Sequence, residues 1–164
     1  MRAVNPEHIE RFIEMVNKTP YLGALGIELV EVAEGRSLVR ATMTRTLQNM
    51  FGGVHGGVVA TLVDAATYCS MYCSVPEDEG YVSIDLTASD LRSARSGVLY
   101  AEGRLIKAGR SMCVAEAFIR DQDGRLIGHG TSKCMVGKEL QPMSMAVQNM
   151  GYPPMPPKFI DAGC

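Results

Sequence analysis

The residues from Val54 to Val75 read VHGGVVATLVDAATYCSMYCSV and form the most apolar stretch of the chain. Asp64 is the only carboxylate in this stretch, and His55 is its only other side chain that ionises near neutral pH. A helix here would be apolar on nearly all sides and would therefore be buried. Because a buried carboxylate costs several kcal/mol unless it is hydrogen-bonded or protonated, Asp64 is the first candidate for chemistry.

The composition predicts one domain without a strongly charged surface. The 164 residues suit a single domain, and 16 basic against 18 acidic side chains give a net charge of −2 without a basic stripe. We therefore expect neither nucleic acid nor a membrane as a partner. Five cysteines without a Cys-x-x-Cys pair indicate free thiols in a reducing compartment, so we expect a cytoplasmic protein.

The apolar stretch is long enough to raise the question of a membrane span. Asp64 would then lie near the centre of the bilayer at a cost of about 2.5 to 3.5 kcal/mol, together with several Thr and Ser hydroxyls. The segments after residue 80 alternate between apolar and polar residues, as strands with one wet face do. The sequence therefore favours a buried helix over about 54–74.

The rest of the first 140 residues predicts one short helix and six strands. Asn5-Pro6 is a helix-start signal, and apolar residues then recur at helical spacing, which predicts an amphipathic helix over 5–17. Alternating segments predict strands near 25–32, 37–44, 81–88, 97–107, 111–120 and 125–136. The fold class that satisfies both patterns is α+β, with an antiparallel sheet of about six strands wrapped around one long buried helix.

Residues 141–164 are rich in Pro and Met and show no helical or strand period. We therefore divide the chain into a single domain over 1–140 and an extended C-terminal tail over 141–164. The composition of the tail assigns it no role.

Several short motifs carry a resemblance to a known family. Asn49 stands six residues before His55-Gly56-Gly57, Asp64 stands seven residues after Gly57, and the further motifs are Ser83-Ile84-Asp85-Leu86, Lys107-Ala108-Gly109-Arg110 and Asp121-x-Asp123-Gly124-Arg125. From about residue 21 to 136 the chain resembles the hotdog-fold thioesterases of the phenylacetate-degradation (PaaI-like) family. The resemblance implies a hotdog fold and hydrolysis of acyl-CoA thioesters without a metal or other cofactor. It also implies homodimers that pair into homotetramers, with sites shared between two subunits.

The resemblance also implies roles for individual residues. Asp64 corresponds to the catalytic acid, which acts as general base or nucleophile, and Ser83 to a residue that helps orient the attacking water. Asn49, His55 and Gly56 correspond to residues that face the thioester from the neighbouring subunit.

The residues taken by themselves leave alternatives open for the carboxylate and the histidine. Asp64 could be a structural carboxylate held by the hydroxyls of Thr61 or Thr67 on the same helix face. His55 lies nine residues before Asp64, half a turn out of phase, so the two side chains cannot pair within one helix. His55 could instead cap the helix with its ring.

The glycines that begin the helix are candidates for binding the thioester carbonyl. The amides of Gly56 and Gly57 would have no intrahelical acceptor and would carry the positive end of the helix dipole, so an oxyanion placed there would gain a donor. The same glycines could instead only permit close packing. Asn49 could likewise have only a structural role in its turn. The alternation of apolar and polar residues in its strand does not decide whether the Ser83 side chain faces the helix.

Four basic residues lie at the ends of predicted loops and are candidates for binding the CoA phosphates: Arg92, Arg95, Lys107 and Arg110. Each of them alone could instead be a solvated charge. Cys69 and Cys73 stand four residues apart on the helix. No second pair of ligands stands near them in the sequence, so we expect no metal site.

We interpret the chain as an acyl-CoA thioesterase, with two alternatives. A hotdog hydratase or dehydratase would pair a His with a carboxylate in a His-Phe-Pro-Gly pattern that this chain lacks. A non-catalytic acyl-CoA-binding protein would be expected to lack the helix acid, which this chain retains in Asp64. The sequence does not identify the acyl group of the substrate, because Tyr68, Met71 and Tyr72 suit either an aromatic group or a chain of medium length.

Overall fold

A six-stranded antiparallel sheet forms the body of the molecule. The computed structural model describes residues 2–77 and 79–161. The strands of this sheet are β2 (Ile27–Ala33), β3 (Arg36–Thr42), β4 (Gly80–Asp90), β5 (Val98–Ala108), β6 (Met112–Asp121) and β7 (Leu126–Gly137). They lie in the order β2-β3-β5-β6-β7-β4, and every neighbouring pair is antiparallel. All six predicted strands are confirmed, with ends that differ by a few residues.

The central helix, α3 (Gly56–Met71), packs against this sheet and continues as a 3₁₀ turn over Tyr72–Ser74. The side chains of Val59, Leu62 and Val63 are fully buried. The helix begins two residues later than predicted because His55 is its N-cap. In the described ranges, no helix is long and apolar enough to cross a membrane.

One side of α3 is not covered by the sheet, contrary to the expectation of burial on nearly all sides. The side chains on this stripe are only partly buried: Ala60, Thr61, Asp64, Ala65 and Tyr68. The physical reason is geometric, since six strands curve around only part of the circumference of the helix. Asp64 lies on this open stripe.

On the covered side, the backbone of α3 approaches the sheet closely. A Cβ atom added at Gly103 of β5 would lie 2.1 Å from the carbonyl oxygen of Ala66. The Ser37 hydroxyl of β3 donates a hydrogen bond of 2.6 Å to the same carbonyl oxygen. Only glycine therefore fits at position 103, and the contact sets the depth at which the helix lies on the sheet.

Two helices precede the sheet. The predicted N-terminal helix is confirmed as α1 (Pro6–Asn17), and the Asn5 side chain caps it by accepting a hydrogen bond of 3.1 Å from the Glu7 amide. A second helix, α2 (Pro20–Leu25), was not predicted. Thr19-Pro20 is a helix-start signal of the same kind as Asn5-Pro6 and could have revealed it.

The C-terminal segment departs from the prediction. It contains α4 (Met143–Met150) and a short strand, β8 (Phe159–Asp161), which pairs antiparallel with β1 (Arg2–Val4). Lys158 is buried, and its Nζ donates a hydrogen bond of 2.8 Å to the carbonyl oxygen of Val75. The expectation that this segment forms neither helix nor strand is therefore wrong for 141–161. Residues 162–164 lie outside the described part.

Candidate active site

A groove of about 930 Å³ runs along the open stripe of α3, between the helix and strand β4. Its walls include Asp64 and Tyr68 of α3, Ser83 and Leu86 of β4, and Tyr21 of α2. Asp64 thus reaches a space that is open to a ligand rather than a closed core.

The carboxylate of Asp64 has one hydrogen-bond partner in the described chain. The Ser83 hydroxyl donates to Asp64 Oδ1 across 3.2 Å. Burial raises the pKa of Asp64, and the hydrogen bond from Ser83 opposes this rise only in part. No cation of the described chain forms an ion pair with Asp64. A half-buried carboxylate of raised pKa without a cation is suited to take up a proton from water.

The hydroxyls near Asp64 on its own helix bond to backbone instead. Thr61 Oγ1 donates to the carbonyl oxygen of Gly57 across 2.8 Å, and Thr67 Oγ1 donates to that of Val63 across 2.8 Å. Neither holds the Asp64 carboxylate, so the reading of Asp64 as a carboxylate bound by these hydroxyls is not supported. The bond comes from β4, which only the folded chain brings alongside.

Ser83 faces the helix at an irregular point of β4. The pairing of β4 with β7 shifts register between Ser83 and Asp85, so Ile84 is an extra residue there. A bulge of this kind redirects neighbouring side chains, which is why simple alternation did not decide where Ser83 points.

At the start of α3, the two glycine amides are not equivalent. His55 Nδ1 accepts a hydrogen bond of 2.9 Å from the Gly57 amide, which requires the ring tautomer with its proton on Nε2. The expectation of two free amides is therefore wrong for Gly57. The Gly56 amide has no acceptor among the described residues and stays available to a ligand.

A second carboxylate lies beside this helix start, and sequence reasoning missed it. A Cβ atom placed on Gly56 would lie 2.9 Å from Asp90 Oδ2, at the end of β4. The positive end of the helix dipole favours an anionic group in this position. No sequence pattern points to Asp90, because the contact joins a strand end to a helix start 34 residues away.

Asn49 organises its own loop. Asn49 Oδ1 accepts hydrogen bonds from the amides of Phe51 (2.9 Å) and Gly53 (3.2 Å), and its Nδ2 donates to the carbonyl oxygen of Val54 (3.1 Å). Neither Asn49 nor His55 lines the groove of its own chain. The structure therefore brings Asp64 and Ser83 together but leaves Asn49 and His55 apart from them within one chain.

The four candidate CoA-binding cations fall into two pairs, Arg92 with Arg95 and Lys107 with Arg110. The first pair follows β4 beside the start of α3, and the second lies where β5 turns into β6. The strand pairings across β5, β6, β7 and β4 place Ala108, at this turn, level with Ser83 along the strand direction. The two pairs of cations are therefore separated along the sheet by the stretch of β4 from Ser83 to Asp90. Those seven steps span about 23 Å, and the four residues do not form one cluster.

Two further groove residues lie outside the predicted set. The Tyr21 hydroxyl is 2.9 Å from the Thr61 hydroxyl across the groove, and Gln141 begins the C-terminal segment at its far end. Tyr21 belongs to α2, so the Thr19-Pro20 signal could have placed it. Gln141 lies in the segment whose packing was not predicted.

The cysteines of the helix are buried thiols. Burial raises the pKa of Cys69 to about 12 and that of Cys73 to about 11. Within 2–77 and 79–161, no three His, Cys, Asp or Glu side chains converge as metal ligands would. The described residues thus offer no ligand set for a metal at Asp64.

Comparison with known proteins assigns the family. The model of the thioesterase superfamily matches residues 51–128, which include α3, Asp64 and Ser83. The 1,4-dihydroxy-2-naphthoyl-CoA hydrolase of Listeria monocytogenes is 31% identical over 103 residues, which cover 63% of this chain and 84% of that protein.

Solved structures agree in fold. A thioesterase from Haemophilus influenzae superposes with a TM-score of 0.73 at 24% identity, over 79% of this chain and 90% of that one. A conserved protein from Pseudomonas aeruginosa superposes with a TM-score of 0.67 at 26% identity, over 73% and 94%. The sheet, the helix and these relatives together show that the chain has the hotdog fold and belongs to the thioesterase superfamily.

Proposed function

We propose that this protein is an acyl-CoA thioesterase of the PaaI-like type, which hydrolyses its substrate to a free acid and CoA with Asp64 as general base or nucleophile. The observation that carries the proposal is the placement of Asp64 on the open stripe of α3, bonded to Ser83 and facing a groove. The name of the Listeria relative adds that a CoA thioester is a substrate within this superfamily.

In the general-base route, Asp64 accepts a proton from a water that attacks the thioester carbonyl carbon. A C–O bond forms, the carbonyl oxygen becomes an oxyanion, and the C–S bond then breaks so that the CoA thiolate takes up the proton. In the nucleophilic route, Asp64 attacks the carbonyl carbon first, and the C–S bond breaks as CoA leaves as the thiolate. Water then cleaves the resulting mixed anhydride, which releases the free acid, restores the Asp64 carboxylate and supplies the proton that the thiolate takes up. Ser83 orients the carboxylate or the water in both routes.

The free amide of Gly56 is the proposed donor to the oxyanion. Gly56 and Asp64 are eight residues apart on α3, about 12 Å, so this amide would serve the thioester held at Asp64 of a neighbouring copy. The amide lies at the positive end of α3, and a donor of this kind contributes roughly 10²- to 10³-fold in rate. His55 supports it by holding the first turn through the Gly57 amide. We assign His55 a positioning role and Asn49 the same role through its loop.

A site shared by two copies of the chain fits the distribution of these residues. Asn49, His55 and Gly56 do not line the groove of their own chain, so they would contribute to the groove of a neighbour. Strand β4 is at the edge of the sheet and exposes Ile84 (52%) and Leu86 (40%), which a second copy would cover. We propose a homodimer, which pairs further into a homotetramer.

The CoA phosphates are assigned to Arg92 and Arg95. These two exposed residues lie beside the start of α3, where the thioester carbonyl would meet the Gly56 amide. Lys107 and Arg110 lie at the other end of the sheet, so within one chain they cannot contact the same phosphates as Arg92 and Arg95. The four described cysteines are buried free thiols, which suits the cytoplasmic location that we propose.

The decisive experiment is to measure thiol release from acyl-CoA substrates by Asp64→Asn. The variant keeps the volume of the side chain and removes its basicity, so kcat should fall by at least about 10²-fold while KM changes much less. Asp123→Asn, in a surface turn, is the matched control and should keep the parental kcat. EDTA should leave the parental rate unchanged.

The outcomes separate the candidate functions. An Asp64→Asn variant that retains most of its kcat, or abolition of activity by EDTA, would refute this mechanism. Binding of acyl-CoA without thiol release would indicate a non-catalytic acyl-CoA-binding protein. Consumption of an enoyl-CoA without thiol release would indicate a hydratase.

A further inference from the structure

A second cavity, of about 460 Å³, lies between the end of α3 and the C-terminal segment. Three aromatic side chains form one side, Tyr68, Tyr72 and Tyr81, and apolar residues of the C-terminal segment form the other, including Met143, Val147 and Met155. Its volume falls within the range of pockets that hold small molecules. We call it the distal pocket.

The distal pocket adjoins the Asp64 groove. Tyr68 and Gln141 line both spaces, so the two meet at these residues. Along α3, Tyr68 is one turn and Tyr72 two turns beyond Asp64, which places the distal pocket roughly 12 Å from the carboxylate. A linear group whose carbonyl lies at Asp64 would therefore reach the distal pocket after passing Tyr68.

The C-terminal wall of the distal pocket is anchored rather than loosely laid on the surface. His8 Nδ1 is 2.6 Å from the carbonyl oxygen of Pro156, and His8 Nε2 is 2.5 Å from the Tyr72 hydroxyl. Lys158 Nζ lies 4.1 Å from the centre of the Tyr72 ring while it donates to Val75. These contacts hold the wall against the end of α3.

Strand β4 is adapted to the same wall. A Cβ atom on Gly80 would lie 1.7 Å from the carbonyl oxygen of Leu140 and 2.5 Å from that of Gln141. Gln141 itself has a φ of +46°, a backbone conformation that residues other than glycine rarely adopt. The chain thus accepts backbone strain at the residue where the groove and the distal pocket meet.

The lining disfavours an anionic occupant. The charged or titratable side chains at its edge are Glu77, Glu79, His8 and Lys158, and its uncharged polar side chains are Gln141, Ser144, Gln148 and Tyr152. His8 and Lys158 already bond to the protein, and Glu77 accepts a hydrogen bond from the Lys158 amide. An additional anionic group in this space would be desolvated without a free cationic partner among the described residues.

We propose that the distal pocket binds the far end of the acyl group, so that the C-terminal segment selects thioesters of elongated acyl chains without an anionic end group. This inference rests on the proposed function, because it places the reacting carbonyl at Asp64. The occupant is an apolar group that passes Tyr68 and lies between the tyrosines of the core and Val147 of α4.

The test compares Val147→Trp with the parent on hexanoyl-CoA and dodecanoyl-CoA. Trp should fill the pocket and lower kcat/KM for dodecanoyl-CoA by at least about tenfold, while the value for hexanoyl-CoA changes little. Met145→Trp is the matched control, because Met145 lies on the same helix but is exposed and does not line the pocket. Dodecanedioyl-CoA, which ends in a carboxylate, should be a poorer substrate for the parent than dodecanoyl-CoA.

A second measurement separates failure of this inference from failure of the proposed function. Binding of dodecanoyl-CoA to Asp64→Asn, measured by calorimetry, should weaken when Val147→Trp is added, whether or not the parent hydrolyses the substrate. Val147→Ala, which enlarges the pocket, replaces Val147→Trp if the larger side chain prevents folding, and it should shift preference toward longer chains. Equal effects on hexanoyl and dodecanoyl substrates, or a parental preference for hexanoyl-CoA, would overturn the assignment.

Discussion

At the scale of single residues, Asp64 is placed where stability and chemistry conflict. Burial raises its pKa, so the folded protein binds a proton at this carboxyl more strongly than the unfolded chain does. Stability therefore falls as the pH rises from the ordinary pKa of 3.8 through the raised value of the folded state. At neutral pH the ionised carboxylate lowers the free energy of unfolding, which is consistent with a functional rather than a structural role.

This conflict predicts that Asp64→Asn is more stable than the parent at pH 7. The amide removes the buried charge, and the thermal midpoint should rise by a few degrees. The gain should shrink as the pH is lowered and vanish below pH 3.8, where the parental carboxyl is protonated in both states. Thermal unfolding followed by circular dichroism between pH 3 and pH 8 measures the difference. A variant that is less stable than the parent at every pH would identify Asp64 as a structural residue.

At the scale of elements, the start of α3 combines a cap with a donor. His55 satisfies the Gly57 amide, and the Gly56 amide, beside Asp90, has no acceptor in the described part of the chain. The loop before the helix is held by Asn49 and by a hydrogen bond of 2.7 Å from the Val54 amide to the carbonyl oxygen of Ala94. The helix start is thus fixed from two sides before any substrate binds.

Substitutions of His55 test whether its ring only caps the helix. Asn can accept the same hydrogen bond, so His55→Asn should keep the parental stability and most of the parental kcat. His55→Ala should cost about 1 kcal/mol of stability and lower kcat, because the first turn loses its cap. Urea unfolding and thiol release measure the two effects. If both variants lost kcat to the same extent, the imidazole would have a direct chemical role.

At the scale of the whole molecule, we propose that the site extends beyond one chain. One chain holds Asp64 and Ser83 in a groove that is open along the edge strand β4. Asn49 and His55 lie on another part of the surface and would reach the groove of a second copy. A twofold arrangement of this kind places the same two half-sites on each subunit.

Mixed subunits test the shared site. Asn49→Ala and Asp64→Asn chains should each be nearly inactive alone, since each lacks a different half of every site. When equal amounts are unfolded together and refolded, about half of the dimers should be mixed, and each mixed dimer holds one intact site. Activity should therefore return to about a quarter of the parental value. A mixture that stayed at the level of the separate variants would contradict a shared site.

The features that could be predicted from the sequence are those with a local period or a local chemical anomaly. The six strands follow from alternation, the long helix follows from its apolar length, and Asp64 stands out as the one carboxylate in that helix. Periodicity carries this information because a sheet face or a helix face repeats over many residues. Strands β1 and β8 have three residues each, too few to show alternation, and α4 with eight residues covers little more than two helical turns.

The sequence alone thus determined the fold class and the identity of Asp64, because both depend on patterns within continuous stretches. Only the tertiary structure decided that Ser83 bonds to Asp64, that the Gly57 amide is already occupied and that the four candidate cations lie in two separate pairs. It also decided that residues 141–158 close a pocket beside the groove. Each of these facts depends on contacts between segments far apart in the chain, and the positions of such segments are set by packing around α3 rather than by local sequence.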